Sequence, residues 1–357
     1  MQVDKSQEQW AEYSLLPPPA IQLKRYDSNG HRFYWWLAYD DKGQVVVKTA
    51  IGVTSLLGIV MPTSPFLTEW KLKQDDWEQA LEDSSAFGTM MHMAYGQWLV
   101  NRSVDAELLG AARDLATKSG GGYDLPDKNM LSFIRWCEDY RVKPMIIEGM
   151  LVSEPIEEEQ FAMTIDLLAE LTITDTVETW VKDGVYTKGK NKGQDRMVKQ
   201  KTESQVKKIA LVDFKSGFMG KETKSFFESH LMQLIAGQRA VSHNYPDVKI
   251  DMIANYSSVG WRTRPNYAFQ IWEPKPEDLQ LFDCYIKIGR LKGLFSPSGN
   301  KFIPPQYNER TKSEDFRVLS YKEYVSNILL APEPTSSVED YVDETSPILN
   351  ATKNQKP

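Results

Sequence analysis

The chain has 357 residues, of which 41% are hydrophobic and 25% charged, and this is ordinary for a soluble globular protein with one large domain or two small ones. Its net charge of −7 argues against a uniformly basic surface, and its two cysteines are too few for an iron–sulfur cluster, which needs about four protein ligands. We expect no signal peptide, and the longest apolar stretch, residues 51–61, is far shorter than the ~20 residues that span a bilayer, so a cytoplasmic protein without a membrane partner is predicted.

The first 50 residues are predicted to form an arm followed by a β-hairpin. Residues 1–20 end in three consecutive prolines, which is typical of a loose arm. Residues 32–39 and 44–47 are rich in aromatic and β-branched side chains and flank a turn that contains glycine, so they predict the hairpin. A short helix is expected to begin within residues 53–57, with a serine or threonine as its N-cap.

Helical spacing of apolar residues dominates the part of the chain that follows. A long helix is predicted over residues 70–100, and His92 lies off its apolar stripe. Two shorter helices are predicted over residues 105–117 and 128–140, on either side of a glycine-rich loop. His92 is therefore expected on the flank of a packed helix.

From residue 144 the apolar pattern changes to that of strands. Strands are predicted over residues 145–153 and 160–171, and Asp166 is the only formal charge in the middle of the second. A charge at such a place is costly unless it has a partner. Residues 182–208 contain nine Lys or Arg against three Asp or Glu and few large apolar side chains, so we expect a long, mobile, basic insertion between two strands.

A buried strand over residues 209–215 follows the basic insertion. It ends in Asp213 and Lys215, which share one face because side chains alternate along a strand. Beyond it we predict helix 222–241, strands 249–255 and 266–272, and helices 276–294 and 313–330. Residues 331–357 contain acids, prolines and serines, and they predict a disordered tail.

The order of the central elements is helix, strand, strand, strand, helix, strand. This order predicts an α/β domain, over residues 51–330, around a small mixed sheet. If the strands of Asp166 and Asp213 are neighbours, the two carboxylates repel each other unless a cation lies between them. A hard divalent ion such as Mg²⁺ takes oxygen ligands and can stabilise charge on a phosphoryl group. Lys215 would then hold the attacking water or the developing negative charge, which is the chemistry of phosphodiester hydrolysis.

Four motifs follow one another in an order that resembles the RecB-like branch of the PD-(D/E)XK nuclease superfamily. They are Gly88-Thr89-Met90-Met91-His92, Thr164-Ile165-Asp166, Val212-Asp213-Phe214-Lys215-Ser216-Gly217 and Gln233-Leu234. Glu154-Pro155 also resembles an acidic-proline pair of that branch, and the similarity covers roughly residues 50–260. The resemblance implies an α-β-β-β-α-β core in which helices flank a small mixed sheet, with helical additions.

The same resemblance implies roles for individual residues. The implied metal ligands are His92, Asp166, Asp213 and the backbone carbonyl of Phe214. The implied catalytic residues are Asp166, Asp213 and Lys215, and Gln233 is expected near the active site and the nucleic acid. One departure concerns Gln233, because the family often has an aromatic residue where Ala236-Gly237-Gln238 stands here.

The implied cofactor is Mg²⁺ or Mn²⁺, without an iron–sulfur cluster. No nucleotide cofactor is expected, because the glycines within residues 217–223 do not have the spacing of a phosphate-binding loop. The resemblance implies a metal-dependent deoxyribonuclease in DNA recombination, repair or replication, in a phage or a bacterial host. An exonuclease is favoured over a sequence-specific endonuclease, because no stretch resembles a base-reading module. Two alternatives stay open: a catalytically silent DNA-binding or scaffold protein of the same fold, and a phosphoesterase that acts on RNA or nucleotides.

Two charged segments have both a functional and a plain interpretation. Residues 182–208 are either a solvated insertion or a flap that contacts DNA phosphates. The candidates for DNA contact in this segment are Lys188, Lys190, Lys192, Arg196, Lys199 and Lys201. The acidic residues 338–344 are either part of a solubilising tail or a peptide that binds a recombination or single-strand-binding protein.

Overall fold

The computed structural model describes residues 16–295, except 29–30, 44, 74–75, 121, 157 and 217–224, together with the short segments 306–308 and 313–315. Eight strands form one mixed sheet whose two faces are covered by helices, and this confirms the predicted α/β class. Most of the predicted N-terminal arm, the tail over residues 331–357 and most of the predicted helix 313–330 lie outside the described residues.

The central sheet joins the N-terminal strands to the rest of the chain. Its strands are β1 (Lys24–Ser28), β2 (His31–Tyr39), β3 (Val45–Gly52), β4 (Lys143–Val152), β5 (Phe161–Val185), β6 (Asp195–Phe214), β7 (Met252–Ser258) and β8 (Tyr267–Trp272). Their order is β1-β2-β3-β5-β6-β7-β8, and β4 pairs with β5 off this path. The sheet is mixed because β3 runs parallel to β5 and β6 runs parallel to β7. A separate antiparallel pair consists of β9 (Gln306–Asn308) and β10 (Ser313–Asp315).

Two helical layers sandwich this sheet. The described helices are α1 (Val53–Val60), α2 (Pro65–Leu72), α3 (Trp77–Asn101), α4 (Ala106–Lys118), α5 (Leu125–Asp139), α6 (Glu228–Asn244) and α7 (Pro276–Leu291). Helices α1, α6 and α7 share one apolar core with Leu168 and Leu211, and α3, α4 and α5 share another with Leu167 and Val212. Strands β5 and β6 contribute side chains to both cores because neighbouring residues of a strand point to opposite faces. Within the described part of the chain, no helix is long and apolar enough to cross a membrane.

The two edges of β5 are paired differently, and the difference creates a gap. On one edge, β4 pairs with residues 162–170. On the other edge, β3 pairs with residues 161–162, and β6 pairs with β5 from Leu167 onward. On this second edge, residues 163–166 of β5 lie between the part that pairs with β3 and the part that pairs with β6. Asp166 therefore lies at a gap between β3 and β6, next to Leu167, the first residue of β5 that pairs with β6.

Residues 182–208 are not the mobile insertion that the sequence predicts. Strand β5 continues to Val185 and β6 begins at Asp195, and the two strands pair with each other over this length. Beyond the described pairings with β4 and β7, they form a two-stranded β-ribbon over residues 172–207. The prediction was wrong because a ribbon with two solvated faces lacks the alternation of apolar and polar residues that marks a strand.

Smaller differences concern the ends of helices. Helix α1 follows Gly52, which makes no side-chain cap bond, so the predicted serine or threonine cap is wrong. The Ser55 hydroxyl instead accepts a hydrogen bond from the backbone N–H of Arg32 at 2.6 Å. Helix α6 begins at Glu228, later than predicted, and residues 313–315 form a strand where the sequence predicts the start of a helix.

Candidate active site

The candidate site lies where β5 begins and β6 ends, between helices α3 and α6. Asp166 and Asp213 each stand one residue beyond the paired residues Leu167 and Val212. Their two strands are neighbours, which is the condition on which the predicted metal site depends, and the two carboxylates are close enough for their charges to interact. The site therefore brings together side chains from the two paired strands β5 and β6.

Asp166 is held from two sides and is largely buried. Its Oδ2 accepts a hydrogen bond from the backbone N–H of Phe214 at 2.6 Å, and its Oδ1 lies 3.5 Å from Nδ1 of His92. Burial by itself raises the pKa of Asp166, but the charges of His92 and Lys215 and the Phe214 N–H outweigh it and lower the pKa. Asp166 is thus a carboxylate, the form that binds a hard cation.

His92 reaches the site from the flank of α3. Its Nδ1 lies 3.5 Å from Oε1 of Glu148 as well as from Asp166, and its ring packs edge-on against Phe214 with centroids 5.8 Å apart. Burial lowers the pKa of His92, but the two carboxylates outweigh it and raise the pKa to about 10. Gly88, one turn earlier, lies against the segment that follows β6, because a Cβ there would stand 3.0 Å from the Ser216 hydroxyl.

Glu148 is the functional candidate that the sequence analysis missed. It lies in β4, with a backbone φ of 49°, a left-handed value that is uncommon for a residue with a side chain and is found at functional sites. Burial and the charge of Asp166 raise the pKa of Glu148, and His92 opposes them. Glu148 is the only formal charge between Met145 and Ser153, so the signal that singled out Asp166 could have found it too.

Lys215 is fixed on the opposite side of Asp213. Its Nζ lies 2.9 and 2.8 Å from the two carboxylate oxygens of Asp213 and donates a hydrogen bond to Oε1 of Gln233 on α6 at 2.8 Å. A second amide, that of the fully buried Asn255, donates to Oδ2 of Asp213 and accepts from the Trp272 indole N–H at 2.7 Å. Asn255 also escaped the sequence analysis, because an uncharged polar residue in an apolar strand gives only a weak signal.

The charges of the site fit a divalent cation. His92, Glu148 and Asp166 each offer one ligand atom, and these atoms lie within 4.8 Å of one another. With Asp213 there are three carboxylates, of which only that of Glu148 is exposed, and they face one lysine and one histidine. Burial raises the pKa of Asp213 to about 6, against the opposing charge of Lys215. Burial, together with the charge of Asp166, raises the pKa values of Glu148 and Asp213, and the neighbouring carboxylates raise that of His92; a proton or a metal ion would relieve this concentration of negative charge.

The structure thus brings together most of the predicted site. His92 and Asp166 are adjacent, Asp213 and Lys215 are paired, and Gln233 contacts Lys215. The three-residue cluster takes Glu148, rather than Asp213, as its third member. A metal-binding role for the Phe214 carbonyl stays a prediction. Glu154, of the acidic-proline pair, is exposed and lines a pocket with Arg239 and His243 instead.

The predicted DNA-contacting lysines lie away from the site. The β-ribbon leaves the sheet at the end of β5 and β6 that is opposite to Asp166 and Asp213. Along β6, the strand from Asp213 back to Asp195 has a contour length of about 60 Å at 3.3 Å per residue. Basic residues at the ribbon's tip therefore do not line the candidate site.

No protein-family model matches the chain, and no curated protein matches it either. The class that the structure defines is an α/β fold with a mixed sheet flanked by helices. A narrower assignment depends on the motifs and on the geometry of the site.

Proposed function

We propose that the chain is a RecB-like nuclease of the PD-(D/E)XK superfamily, which hydrolyses DNA phosphodiester bonds with Mg²⁺ or Mn²⁺. The observation that carries this proposal is the juxtaposition of a His92, Glu148 and Asp166 cluster with the Asp213–Lys215 pair. The motif order and the α-β-β-β-α-β succession of elements support the same family.

His92, Glu148 and Asp166 would hold the metal ion, with Asp213 at its side. When bound, such an ion stabilises charge on a phosphoryl oxygen and makes a water ligand more acidic. The donor set is one imidazole nitrogen and carboxylate oxygens, which suits Mn²⁺ and Mg²⁺ better than it suits a thiolate-preferring metal. The chain's own contribution is to keep these groups in place before substrate arrives.

Lys215 would present its positive charge to the substrate. An ammonium group has three N–H donors, and three acceptors lie within 2.9 Å of Nζ: the two carboxylate oxygens of Asp213 and Oε1 of Gln233. When substrate binds, a phosphate oxygen or the attacking water would replace one of the Asp213 oxygens. Gln233 therefore acts as a positioning residue, because it fixes Lys215 rather than the reacting atoms.

The test is a digestion series on end-labelled single- and double-stranded DNA with Mg²⁺, Mn²⁺ or EDTA. We expect metal-dependent degradation, and we expect Lys215→Ala to lower the rate at least a hundredfold because one charged donor is lost from the transition state. Lys118→Ala, an exposed lysine on α4, is the matched control and should cleave like the wild type.

The products distinguish an exonuclease, which we favour, from an endonuclease. Mononucleotides or short products released from an end indicate an exonuclease, whereas nicking of closed circular DNA indicates an endonuclease. Absence of cleavage on every substrate, with DNA binding intact, would overturn the enzymatic proposal and favour a silent DNA-binding protein. Cleavage by Lys215→Ala at the wild-type rate would refute the assignment of the site.

A further inference from the structure

The β-ribbon separates charge within the molecule. The ribbon, residues 172–207, contains eight basic and five acidic residues, a surplus of three positive charges. Because the whole chain has a net charge of −7, all other residues together carry −10. The ribbon is thus a basic arm on an acidic body, and its charge is complementary to a polyanion.

The paired strands of the ribbon, between the sheet and the turn at its tip, neutralise their own charges by ion pairs with each other. The described pairs are Lys182–Asp195, Asp183–Arg196, Glu178–Lys199, Glu178–Lys201 and Glu170–Lys207. An isolated two-stranded ribbon is only marginally stable, so pairs of this kind help to keep the arm extended. Three of the six predicted DNA-contacting residues, Arg196, Lys199 and Lys201, are used in this way.

The tip of the ribbon is different, because its lysines point to solvent. Lys188, Lys190 and Lys192 are exposed, and none of them makes an ion pair with the residues that the structure describes. The tip is nevertheless an ordered turn, closed by bonds such as Gly193 N–H to the Tyr186 carbonyl at 2.9 Å. Gly189 has a positive φ of 82° within it, a conformation that suits glycine. The tip therefore presents three cations on a pre-organised turn.

We propose that this tip is a remote anchor, which binds the phosphate backbone of duplex DNA far from the site of cleavage. A two-stranded β-ribbon fits the major groove, and lysine ammonium groups bind phosphates without reading sequence. The inference rests on the proposed function, because it assumes that DNA is the polyanion. It adds a length requirement: the contour of about 60 Å from Asp213 to Asp195, at the base of the tip, corresponds to about 18 base pairs at 3.4 Å each.

The first experiment measures binding without cleavage, by fluorescence anisotropy in EDTA with duplexes of 12 and 24 base pairs. The tip variant is Lys188→Gln, Lys190→Gln and Lys192→Gln combined. The charge control is Lys42→Gln, Lys118→Gln and Lys249→Gln combined, three exposed lysines outside the ribbon. We expect the tip variant to bind the longer duplex about tenfold more weakly and to lower the slope of log K against log salt by about 2 to 3, with little change on the shorter duplex.

The second experiment shortens the ribbon. Deleting residues 174–177 and their partners 202–205 removes four residue pairs and preserves both register and face. The arm then loses about 13 Å, so the duplex length at which the extra affinity develops should fall by about 4 base pairs. Thermal unfolding of each variant checks that the body of the protein is intact.

The outcomes separate this inference from the proposed function. Loss of affinity and salt slope by the tip variant supports the anchor even if the wild type cleaves nothing. A tip variant that binds both duplexes like the charge control overturns the anchor even if the wild type is an active nuclease. An effect confined to self-association, measured by sedimentation, would assign the tip to a second copy of the chain and would equally overturn the proposal.

Discussion

Asp213→Asn is expected to make the metal-free protein more stable, although it removes a residue central to the proposed chemistry. The Asp213 side chain is only 20% exposed, and it shares its surroundings with Asp166. Burial raises its pKa from the ordinary value of 3.8 to about 6, although Lys215 pulls in the other direction. The folded protein therefore holds this carboxylate at a cost whenever the group is ionised and no cation is bound.

The size of the effect follows from that change in pKa. A rise from 3.8 to about 6 corresponds to about 3 kcal/mol of lost stability at neutral pH. Asparagine cannot form the ion pair with Lys215, so we expect a net gain of about 1 to 3 kcal/mol, or about 1 to 4 °C in Tm. A carboxyl group whose pKa is raised by folding lowers the stability of the folded state. This loss develops as pH rises from the unfolded pKa to the folded pKa, and it is constant above the folded pKa. The advantage of the variant should therefore shrink as pH falls from 6 towards 3.8 and vanish below it.

The assay is urea unfolding in EDTA across this pH range, with Asp114→Asn, an exposed aspartate on α4, as the control. Saturating Mn²⁺ should reverse the order, because the ion stabilises the wild type more than the variant. An Asp213→Asn protein that is less stable than the wild type at pH 7 in EDTA would refute the reasoning. It would mean that the ion pair with Lys215 and the bond from Asn255 outweigh the burial of charge.

Two further predictions concern the metal site and the packing beneath it. Glu148→Gln should weaken Mn²⁺ binding at least tenfold by calorimetry, because one of three clustered ligands loses its charge; unchanged affinity would remove Glu148 from the site. Gly237→Ala should destabilise the protein by about 1 to 3 kcal/mol in urea, since its Cβ would stand 2.8 Å from Leu211 Cδ2. Gly110→Ala, on α4 in open space, is the contrasting control and should stabilise by up to about 1 kcal/mol; equal effects of the two changes would contradict the packing argument.

The sequence predicted those parts of the site that combine charge with an apolar strand. Asp166 was found because an ionised group inside such a strand needs a partner, and Asp213 and Lys215 because they share one face at the end of a buried strand. Glu148 meets the same criterion, but it belongs to none of the motifs that carry the resemblance, so nothing in the sequence connected it with Asp166. Only the pairing of β4 with β5 brings it to Asp166.

The ribbon shows a different limit of sequence analysis. A strand is recognised by one face that is apolar, and most of the ribbon has no such face because, beyond Ile173, its described side chains do not pack against either core. Their pairing is determined by the partner strand and by ion pairs across it, which are invisible until the two strands are placed in register. The enrichment in threonine and valine was the available signal, and it was weaker than the basic and glycine-rich composition.

The junction between β3 and β5 has a consequence for how the molecule opens. Strands β1 to β3 join the rest of the sheet through a ladder described by two residue pairs, Ile51 with Phe161 and Gly52 with Ala162. A unit attached by so few main-chain bonds is held mainly by its buried side chains, such as Phe33 and Trp35, and these would be exposed together if the unit opened. In native-state hydrogen exchange, the amides of β1 to β3 should therefore share one opening free energy, lower than that of the central strands. Such partial unfolding would widen the gap between β3 and β6 beside Asp166. The sheet would then open next to the residues at which its charges are most concentrated.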